Sequence, residues 1–148
     1  MRALIQRVSE AKVDIDGVLK SSIGVGILVL LGIENGDGVE DVDWLVRKIT
    51  QMRIFGDQEG KMNNSILDVD GDMLVVSQFT LHASTKKGNR PSFIRAAKPE
   101  VSIPLYNKFV KKCSELLPVK TGEFGADMQV FLTNDGPVTI WLDSNCKE

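Results

Sequence analysis

The segment Met73–Leu81 (MLVVSQFTL) contains the first residues whose types suggest chemistry. Its alternating pattern predicts a strand, and Leu74 and Val76 begin one of the two faces of that strand. Gln78 and Thr80 continue the same face, which therefore changes from aliphatic to amide and hydroxyl. Polar groups in a buried strand must find hydrogen-bond partners or line a cavity. A strand that emerges at the edge of its sheet, with both side chains in water, explains the same pattern.

A basic segment follows this predicted strand. Between Asp72 and Glu100 the sequence contains no acidic residue. The basic residues in this interval are Lys86, Lys87, Arg90, Arg95 and Lys98. Clustered Lys and Arg side chains are typical of phosphate binding, and Phe93 offers an aromatic ring on which a nucleic-acid base can stack. A solvated loop is the alternative interpretation of the same charges.

The tetrapeptide Asn134-Asp135-Gly136-Pro137 is typical of a turn. The peptide bond before a proline is the only kind with a substantial cis population, about 5–6% in folded proteins. Pro137 also has no backbone N–H, so the neighbouring carbonyl groups face whatever approaches the segment. A plain turn between two strands explains these residues without any function.

The rest of the sequence predicts the elements that hold these three segments. Alternation and apolar runs predict strands at residues 11–15, 18–23, 25–33, 52–55, 66–69, 128–133 and 138–143. Asp16-Gly17 and Asp70-Gly71 are predicted to be tight hairpin turns. Helical spacing of apolar residues predicts helices over 39–52 and 99–117. The order favours an α/β fold, with a mixed, largely antiparallel, barrel-like sheet and two main helices packed on it in a single domain, residues 1–148.

The composition excludes several classes of protein. The chain has 148 residues, of which 43% are hydrophobic and 26% charged, and its net charge is −2, which does not fit a disordered protein. The longest apolar run, Val25–Ile33, has nine residues, whereas a membrane span needs about twenty. The N-terminal segment carries charge where a signal peptide would be apolar, so a cytoplasmic location is expected.

The inventory of catalytic side chains is small. His82 is the only histidine, and together with Cys113 and Cys146 it is too scattered to suggest a zinc site, so neither a metal nor another cofactor is expected. A Ser-His-Asp triad would have to use His82 as its base, but no G-x-S-x-G motif accompanies it. An enzyme built from this sequence must therefore work with few acids and bases.

Four segments together resemble the D-aminoacyl-tRNA deacylases. These segments are Ser77–Leu81 (SQFTL), Gly88–Phe93 (GNRPSF), Thr121–Met128 (TGEFGADM) and Asn134–Thr139 (NDGPVT). The opening Met1–Val8 is similar to the first strand of that family. The match runs through essentially the whole chain in order, and the S-Q-x-T and G-P-x-T elements are specific when they occur together.

The resemblance implies a homodimeric enzyme that hydrolyses the ester joining a D-amino acid to the terminal ribose of tRNA and so recycles mischarged tRNA. It implies that Gly136 and Pro137, joined by a cis bond, enter the neighbouring subunit's site beside Gln78, Phe79 and Thr80. Their two carbonyl groups would bind the substrate's α-ammonium and block the direction of an L side chain. Chirality would then be read by exclusion, and many D-residues and glycine would be accepted.

The chemistry that follows from this resemblance needs only modest help, because an aminoacyl ester is already activated. The backbone N–H groups of Phe79 and Thr80 are candidates for an oxyanion hole. Lys86, Lys87 and Arg90, with Phe93, would hold the acceptor end of tRNA by its phosphates, and neither DNA nor a membrane is expected as a partner. Two alternatives remain: a non-catalytic RNA-binding module, and a small-ester hydrolase with Thr80 as nucleophile.

Overall fold

One long first strand organises the sheet, and it does so because its side chains alternate between two environments. The computed structural model describes residues 1–147. Ala3, Ile5 and Val13 point into the interior and are essentially fully buried, whereas Leu4 and Lys12 on the other face are only half-buried. The strands are β1 (Arg2–Ile15), β2 (Val18–Ile23), β3 (Gly26–Gly32), β4 (Phe55–Gly56), β5 (Met62–Asn64), β6 (Asp72–Ser77), β7 (Val119–Thr121) and β8 (Gln129–Asp143). The helices are α1 (Val39–Gln51) and α2 (Pro99–Ser114), and a short 3-10 turn spans Phe79–His82.

The main sheet is mixed and curls toward a barrel, as the sequence predicts. Its order is β2-β1-β3-β6-β7, and β8 pairs with the other edge of β1. The pairs involving β1 are antiparallel, whereas β3–β6 and β6–β7 are parallel. The Ser21 hydroxyl of β2 donates to the Thr121 carbonyl of β7 at 2.8 Å, which brings the two ends of the sheet together. The predicted fold class is confirmed.

The central strands β3 and β6 are buried on both faces, which explains their continuous apolar sequences. Leu28 and Leu74 face the inside of the curled sheet, where they join a small apolar cluster. Val29 and Val75 face the other way, into the larger core beneath the two helices. Phe109 of α2 is fully buried in that larger core. The two cores therefore fix β6 on both sides up to the point where it ends.

Most predicted boundaries are confirmed. Asp16 and Gly17 have φ values of +51° and +76°, as a tight hairpin between β1 and β2 requires. Helix α1 carries Glu40 and Asp41 in its first turn, where the helix dipole favours negative charge. Helix α2 begins at Pro99 and ends at Ser114, three residues before the predicted Leu117.

Three predictions about the region 52–71 are wrong. The strand predicted over 52–55 is reduced to the two-residue β4, Phe55–Gly56. Residues 66–69 form turns rather than a strand, because the Asp68 carboxylate accepts hydrogen bonds from the amide and hydroxyl of Ser65 and closes the chain locally. Asp70-Gly71 is a turn with Asp70 at φ +51°, but it leads into β6, whose neighbours are both parallel, and so it joins no hairpin. The small hairpin of this region is instead β4–β5.

Candidate active site

The predicted strand over residues 73–81 ends earlier, and the chain then turns sharply. The Gln78 amide donates to the Leu31 carbonyl at 2.8 Å, which is the last bond to β3. Phe79–His82 then form the 3-10 turn, so the face of Leu74 and Val76 does not continue to Thr80. That part of the strand prediction is wrong, because the turn outcompetes the sheet once β3 has ended. The turn instead places the two polar side chains in contact, with Gln78 Nε2 donating to Thr80 Oγ1 at 2.5 Å.

The start of this turn leaves two consecutive amides free. The first N–H groups of any helical turn have no partner within the turn itself. Among residues 1–147, no backbone or side-chain atom accepts a hydrogen bond from the amides of Phe79 or Thr80. Two unpartnered donors in succession are suited to a developing oxyanion, and that role for these residues stays a prediction.

Phe79, the first of the two residues with a free amide, lines a cavity of about 600 Å³. Its walls come from the ends of β3 and β6, from the chain leading into α2, and from the loop before β8. The lining includes Leu31, Ile33, Val76, Gln78, Phe79, Phe93, Ala97, Lys98 and Ser102, with Phe124, Ala126 and Met128 on the far side. Its volume lies within the ordinary range for a small-molecule site. Thr80 is exposed and is not one of the lining residues in the described part of the chain.

The far wall of the cavity depends on two glycines. A Cβ on Gly122 would lie 2.5 Å from the Met128 sulfur, so a larger residue there would have to displace that side chain. Gly125 has φ +78°, in the left-handed region that favours glycine. Phe124, between them, packs edge-on against Tyr106 of α2 at 5.7 Å between ring centres. These contacts hold the T-G-E-F-G segment as a wall rather than as a mobile loop.

The predicted turn at residues 134–137 is corrected to a wide bulge within one continuous strand. In the register of β8 against β1, Gln6 faces Thr139 and Val8 faces Asn134, so Arg7 alone stands opposite four residues of β8. The extra residues stand away from the sheet, and both Gly136 and Pro137 are exposed. Their peptide bond is cis, as the family resemblance implied.

Arg7 holds this bulge in place and is a residue that the sequence analysis missed. Its Nε donates to the Asp135 carbonyl at 2.9 Å and lies 3.1 Å from the Asp135 carboxylate. Its Nη1 donates to the Ile54 carbonyl, and Asn134 Nδ2 donates back to the Arg7 carbonyl at 2.9 Å. A long charged side chain within an alternating strand was the only sequence signal for this role. Gly136 itself has φ +143°, and a Cβ there would lie 2.7 Å from the Val138 nitrogen.

The bulge and the cavity lie apart within one protomer. Neither Gly136 nor Pro137 is among the cavity-lining residues in the part of the chain that the structure describes. The cavity is therefore bounded by Gln78 and Phe79 but not by the G-P pair of the same chain.

The basic residues divide into two environments. Reciprocal backbone bonds between Ser84 and Ser92, at 2.8 and 2.9 Å, close the base of a loop. Lys86, Lys87 and Arg90 lie on this loop, fully exposed, and within residues 1–147 none of them forms an ion pair. Arg95 differs, because it binds the buried Glu34 carboxylate. We call residues 84–92 the basic loop.

Phe93 lies at the cavity rather than among the exposed lysines. Its ring packs edge-on against Phe79, with 5.0 Å between ring centres. The two rings together form an aromatic rim beside the free amides. The sequence analysis named both aromatic residues as candidates but did not indicate that they would touch.

His82 is placed where it cannot serve Thr80 as a base. Its side chain is fully buried, neither ring nitrogen has a hydrogen-bond partner, and Nδ1 lies 3.8 Å from Glu34 Oε1. Burial lowers the pKa of His82, and the neighbouring Glu34 carboxylate only partly opposes this effect. A neutral, enclosed imidazole without contact to the Thr80 hydroxyl leaves that hydroxyl without an activating base.

The described residues contain neither a cluster of metal ligands nor a membrane-spanning helix. Over residues 1–147, no group of three His, Cys, Asp or Glu side chains is arranged to hold a metal ion. No helix in that range is both long and apolar enough to cross a membrane.

Similarity to known proteins covers the whole chain. Residues 4–143 match the family model described as D-Tyr-tRNA(Tyr) deacylase. The D-aminoacyl-tRNA deacylases of Bacteroides thetaiotaomicron and Chromobacterium violaceum are 61% and 59% identical to it, and each alignment covers 100% of both proteins.

Two solved structures share its fold. One, named c-Myc DNA Unwinding Element Binding Protein, superposes with a TM-score of 0.92 at 43% identity and covers 97% of this chain and 98% of its own. A second, a probable eukaryotic D-amino acid tRNA deacylase, has a TM-score of 0.81 at 18% identity, covers 95% of this chain and 97% of its own, and supports the fold alone. The motif resemblance is thus confirmed, and the chain belongs to the D-Tyr-tRNA(Tyr) deacylase family of enzymes.

Proposed function

We propose that this protein hydrolyses the ester between a D-amino acid and the 3′-terminal ribose of tRNA, and that it rejects the L-aminoacyl ester. Membership of the deacylase family supports the reaction class. The single structural observation that carries the proposal is the pair of consecutive free amides at Phe79 and Thr80, of which Phe79 lines a cavity of about 600 Å³. Recycling of mischarged tRNA is the cellular task that such a reaction performs.

The proposed mechanism needs no side-chain nucleophile. A water oxygen attacks the ester carbonyl carbon, and the carbonyl oxygen becomes an oxyanion that accepts hydrogen bonds from the two amides. The C–O bond to the ribose then breaks, and the ribose hydroxyl leaves with a proton, with the adjacent 2′-hydroxyl as a helper. Each oxyanion-hole donor typically contributes about 3–4 kcal/mol to transition-state stabilisation.

Thr80 serves in binding and positioning rather than as the nucleophile. Its Oγ1 accepts a hydrogen bond from the Gln78 side-chain amide, and an amide cannot take a proton from an attacking hydroxyl. The only histidine, His82, is enclosed and makes no hydrogen bond. These contacts disfavour the alternative of a small-ester hydrolase that uses Thr80 for covalent catalysis.

Selection for the D-substrate is proposed to come from a second copy of the chain. Gly136 and Pro137 are exposed, are held by Arg7, and lie outside the cavity of their own protomer. Inserted into a partner's cavity beside Gln78, their carbonyls would hold the α-ammonium of the substrate and occupy the space of an L side chain. Glycine has no side chain to exclude, so glycyl-tRNA is expected to be a substrate as well.

The outer face of β8 fits such a homodimer. This strand has 15 residues and pairs only with β1, so its other edge is unpaired within the chain. Phe131 and Trp141 lie on its outer face, and each is 46% exposed. An unpaired strand edge with exposed apolar side chains on the same strand is a surface that a second copy of the chain can cover. Sedimentation at micromolar concentration should therefore give a dimer, and a monomer would contradict a site completed by a partner.

The basic loop is proposed to hold the acceptor end of tRNA. Lys86, Lys87 and Arg90 are exposed and free of ion pairs within the described chain, so their charges are available to phosphates. Contacts to phosphates position a nucleic acid without reading much of its sequence. Deacylation should weaken steeply as salt rises, and a flat salt dependence would remove these residues from the binding account.

One experiment separates this proposal from its competitors. The protein is incubated with D-Tyr-tRNA, L-Tyr-tRNA and free D-tyrosine methyl ester, and release of tyrosine is followed. We expect release from D-Tyr-tRNA alone, or nearly so. A non-catalytic RNA-binding module would release nothing, and a small-ester hydrolase would release tyrosine from the methyl ester without needing the RNA.

A further inference from the structure

The two ends of the segment that carries the basic loop meet at one buried carboxylate. Glu34 follows β3 and is 6% exposed. Its Oε2 accepts hydrogen bonds from Arg95, at 3.0 Å from Nε and 2.6 Å from Nη2. Its Oε1 lies 3.8 Å from His82 Nδ1 and accepts a bond from Asn145 at 3.2 Å. His82 is the last residue of the 3-10 turn and Arg95 follows the basic loop, so the carboxylate touches the chain on both sides of that loop.

Backbone contacts reinforce the same junction. The Asn35 amide donates to the Arg95 carbonyl at 3.0 Å, and the Ala97 amide donates to the Ile33 carbonyl at 2.9 Å. Gly32 permits the close approach of the turn, because a Cβ there would lie 2.9 Å from the Gln78 carbonyl oxygen and 3.1 Å from the His82 ring. The end of β3 is thus pressed against both the 3-10 turn and the cavity wall.

The electrostatics of this junction depend on Glu34 being charged. Burial alone would raise the pKa of Glu34, but the hydrogen bonds from Arg95 and Asn145 outweigh it and leave the pKa lowered. A buried carboxylate that loses its partner is strongly unfavourable, and a guanidinium without its carboxylate returns to water. The charged groups that face His82 are Glu34, Arg2 and the N-terminal ammonium.

We propose that Glu34 is a positioning residue for the deacylation reaction, and that Arg95 acts through Glu34 rather than on tRNA. By holding Arg95 and the His82 side of the turn, the Glu34 carboxylate sets the direction of the Phe79 and Thr80 amides and the base of the basic loop. The kinetic part of this inference rests on the proposed function. A misplacement of about 1 Å at reacting groups can cost about 100-fold in rate.

The kinetic test uses Glu34→Gln, Arg95→Gln and the double variant, with Glu40→Gln as the control, because Glu40 is an exposed carboxylate on α1. Single-turnover deacylation of D-Tyr-tRNA is measured at saturating enzyme and at several salt concentrations. We expect each single variant to lower the rate constant by at least about 10-fold, and the double variant to be no worse than the poorer single one. Arg95→Lys should recover part of the rate. The salt slope, which is the slope of the logarithm of the rate constant against the logarithm of the salt concentration, should be the same in all variants as in the wild type.

Three results would overturn the proposal: rate losses that multiply in the double variant, a salt slope that falls by about one in Arg95→Gln, or wild-type rates in Glu34→Gln. A direct phosphate contact by Arg95 predicts the first two. A wild-type protein that releases no tyrosine would instead refute the proposed function, and the next measurement then decides the inference alone.

That measurement is hydrogen exchange of the Ser84 and Ser92 amides, which are bonded across the base of the basic loop. It needs no substrate, and thermal unfolding first establishes that each variant is folded at the temperature used. Loss of the ion pair between Glu34 and Arg95 should speed hydrogen exchange of both amides by at least about 10-fold in Glu34→Gln and Arg95→Gln, but not in Glu40→Gln. Unchanged exchange in both Glu34→Gln and Arg95→Gln would show that Glu34 does not hold the basic loop.

Discussion

Two interruptions of the sheet supply the candidate chemistry, and they differ in what they offer. The chain turns at Phe79, after the end of β6, and presents two N–H donors. Neither donates a hydrogen bond to any atom of residues 1–147. The bulge in β8 presents Gly136 and Pro137, of which the proline has no N–H, so this segment offers mainly carbonyl acceptors. Donors suit a developing oxyanion, and acceptors suit an ammonium group. A single aminoacyl ester contains both groups, so the proposed function requires the two interruptions to meet across two copies of the chain.

The two interruptions are also held in different ways. The 3-10 turn sits against buried groups, with Arg2 donating to the Leu81 carbonyl at 2.9 Å and the Glu34 junction beneath it. The bulge stands in water and is held chiefly by the Arg7 side chain. A rigid turn can be perturbed only through the core, whereas the bulge can be perturbed by single exposed contacts. The predictions below use this difference.

Gly136→Ala should produce the largest loss. Gly136 has φ +143°, and a Cβ would lie 2.7 Å from the Val138 nitrogen, so the bulge must shift. We expect the single-turnover rate on D-Tyr-tRNA to fall by about 100-fold or more. Gly17→Ala is the matched control, because Gly17 also has positive φ but meets no atom within 4 Å and lies on the distant hairpin. Equal rates for wild type and Gly136→Ala would exclude the bulge from the site.

Arg7→Gln should produce the second-largest loss. The substitution removes the side chain that holds the bulge but leaves the residues of the bulge itself unchanged. We expect a rate loss of about 10-fold and a measurable rise in release from L-Tyr-tRNA, because a looser bulge excludes the L side chain less well. The ratio of D to L rates is the readout. Arg53→Gln serves as the control, because Arg53 is exposed and contacts only Asn63 of the β4–β5 hairpin. An unchanged D-to-L ratio would contradict the filter.

Thr80→Ala tests the 3-10 turn, which presents the free N–H donors, and should lower the rate only modestly. The variant keeps the backbone amide and loses only the contact between Thr80 Oγ1 and Gln78 Nε2. We expect much of the activity to remain, with a loss of less than about 10-fold. A drop of more than about three orders of magnitude in single-turnover rate would instead favour covalent catalysis by the hydroxyl.

Acidification should slightly lower the stability of the folded protein through His82, the last residue of the 3-10 turn. Burial lowers the pKa of His82 below its ordinary value of 6.5, so the unfolded chain takes up this proton first as the pH falls. The contribution of His82 to the free energy of unfolding is therefore fully present above pH 6.5. It is lost as the pH falls toward the folded-state pKa of His82.

The melting temperature is expected to drop between about pH 7.5 and 5.5, and His82→Gln should show a smaller drop. The carboxyl groups of Glu34 and Asp143 also have lowered pKa values, but their contributions fade only below their ordinary values of 4.5 and 3.8. The chosen window therefore lies above the range in which these carboxyl groups lose their contribution. An equal drop in both proteins would mean that His82 does not titrate with folding.

The sequence predicted the segments of the site better than their geometry. Gln78, Phe79 and Phe93 were identified from motifs and local composition, and all three line the cavity. The extension of β6 to Leu81 was wrong because alternation continues in the sequence after its pairing partner β3 has ended. The turn at 134–137 became a bulge because β1 continues past it and pairs on both sides. Strand pairing, which is non-local, decided both outcomes.

The amino-acid sequence alone determined the family, the two helices, the hairpin at Asp16-Gly17 and the charge of the basic loop. Each of these depends on residues that are close together along the chain or on motifs in a fixed order. Only the tertiary structure decided that Arg95 binds Glu34, 61 positions away, and that Arg7 holds Asp135, 128 positions away. Such contacts arise from packing between distant strands and loops, and no local pattern of residue types specifies which charges will meet.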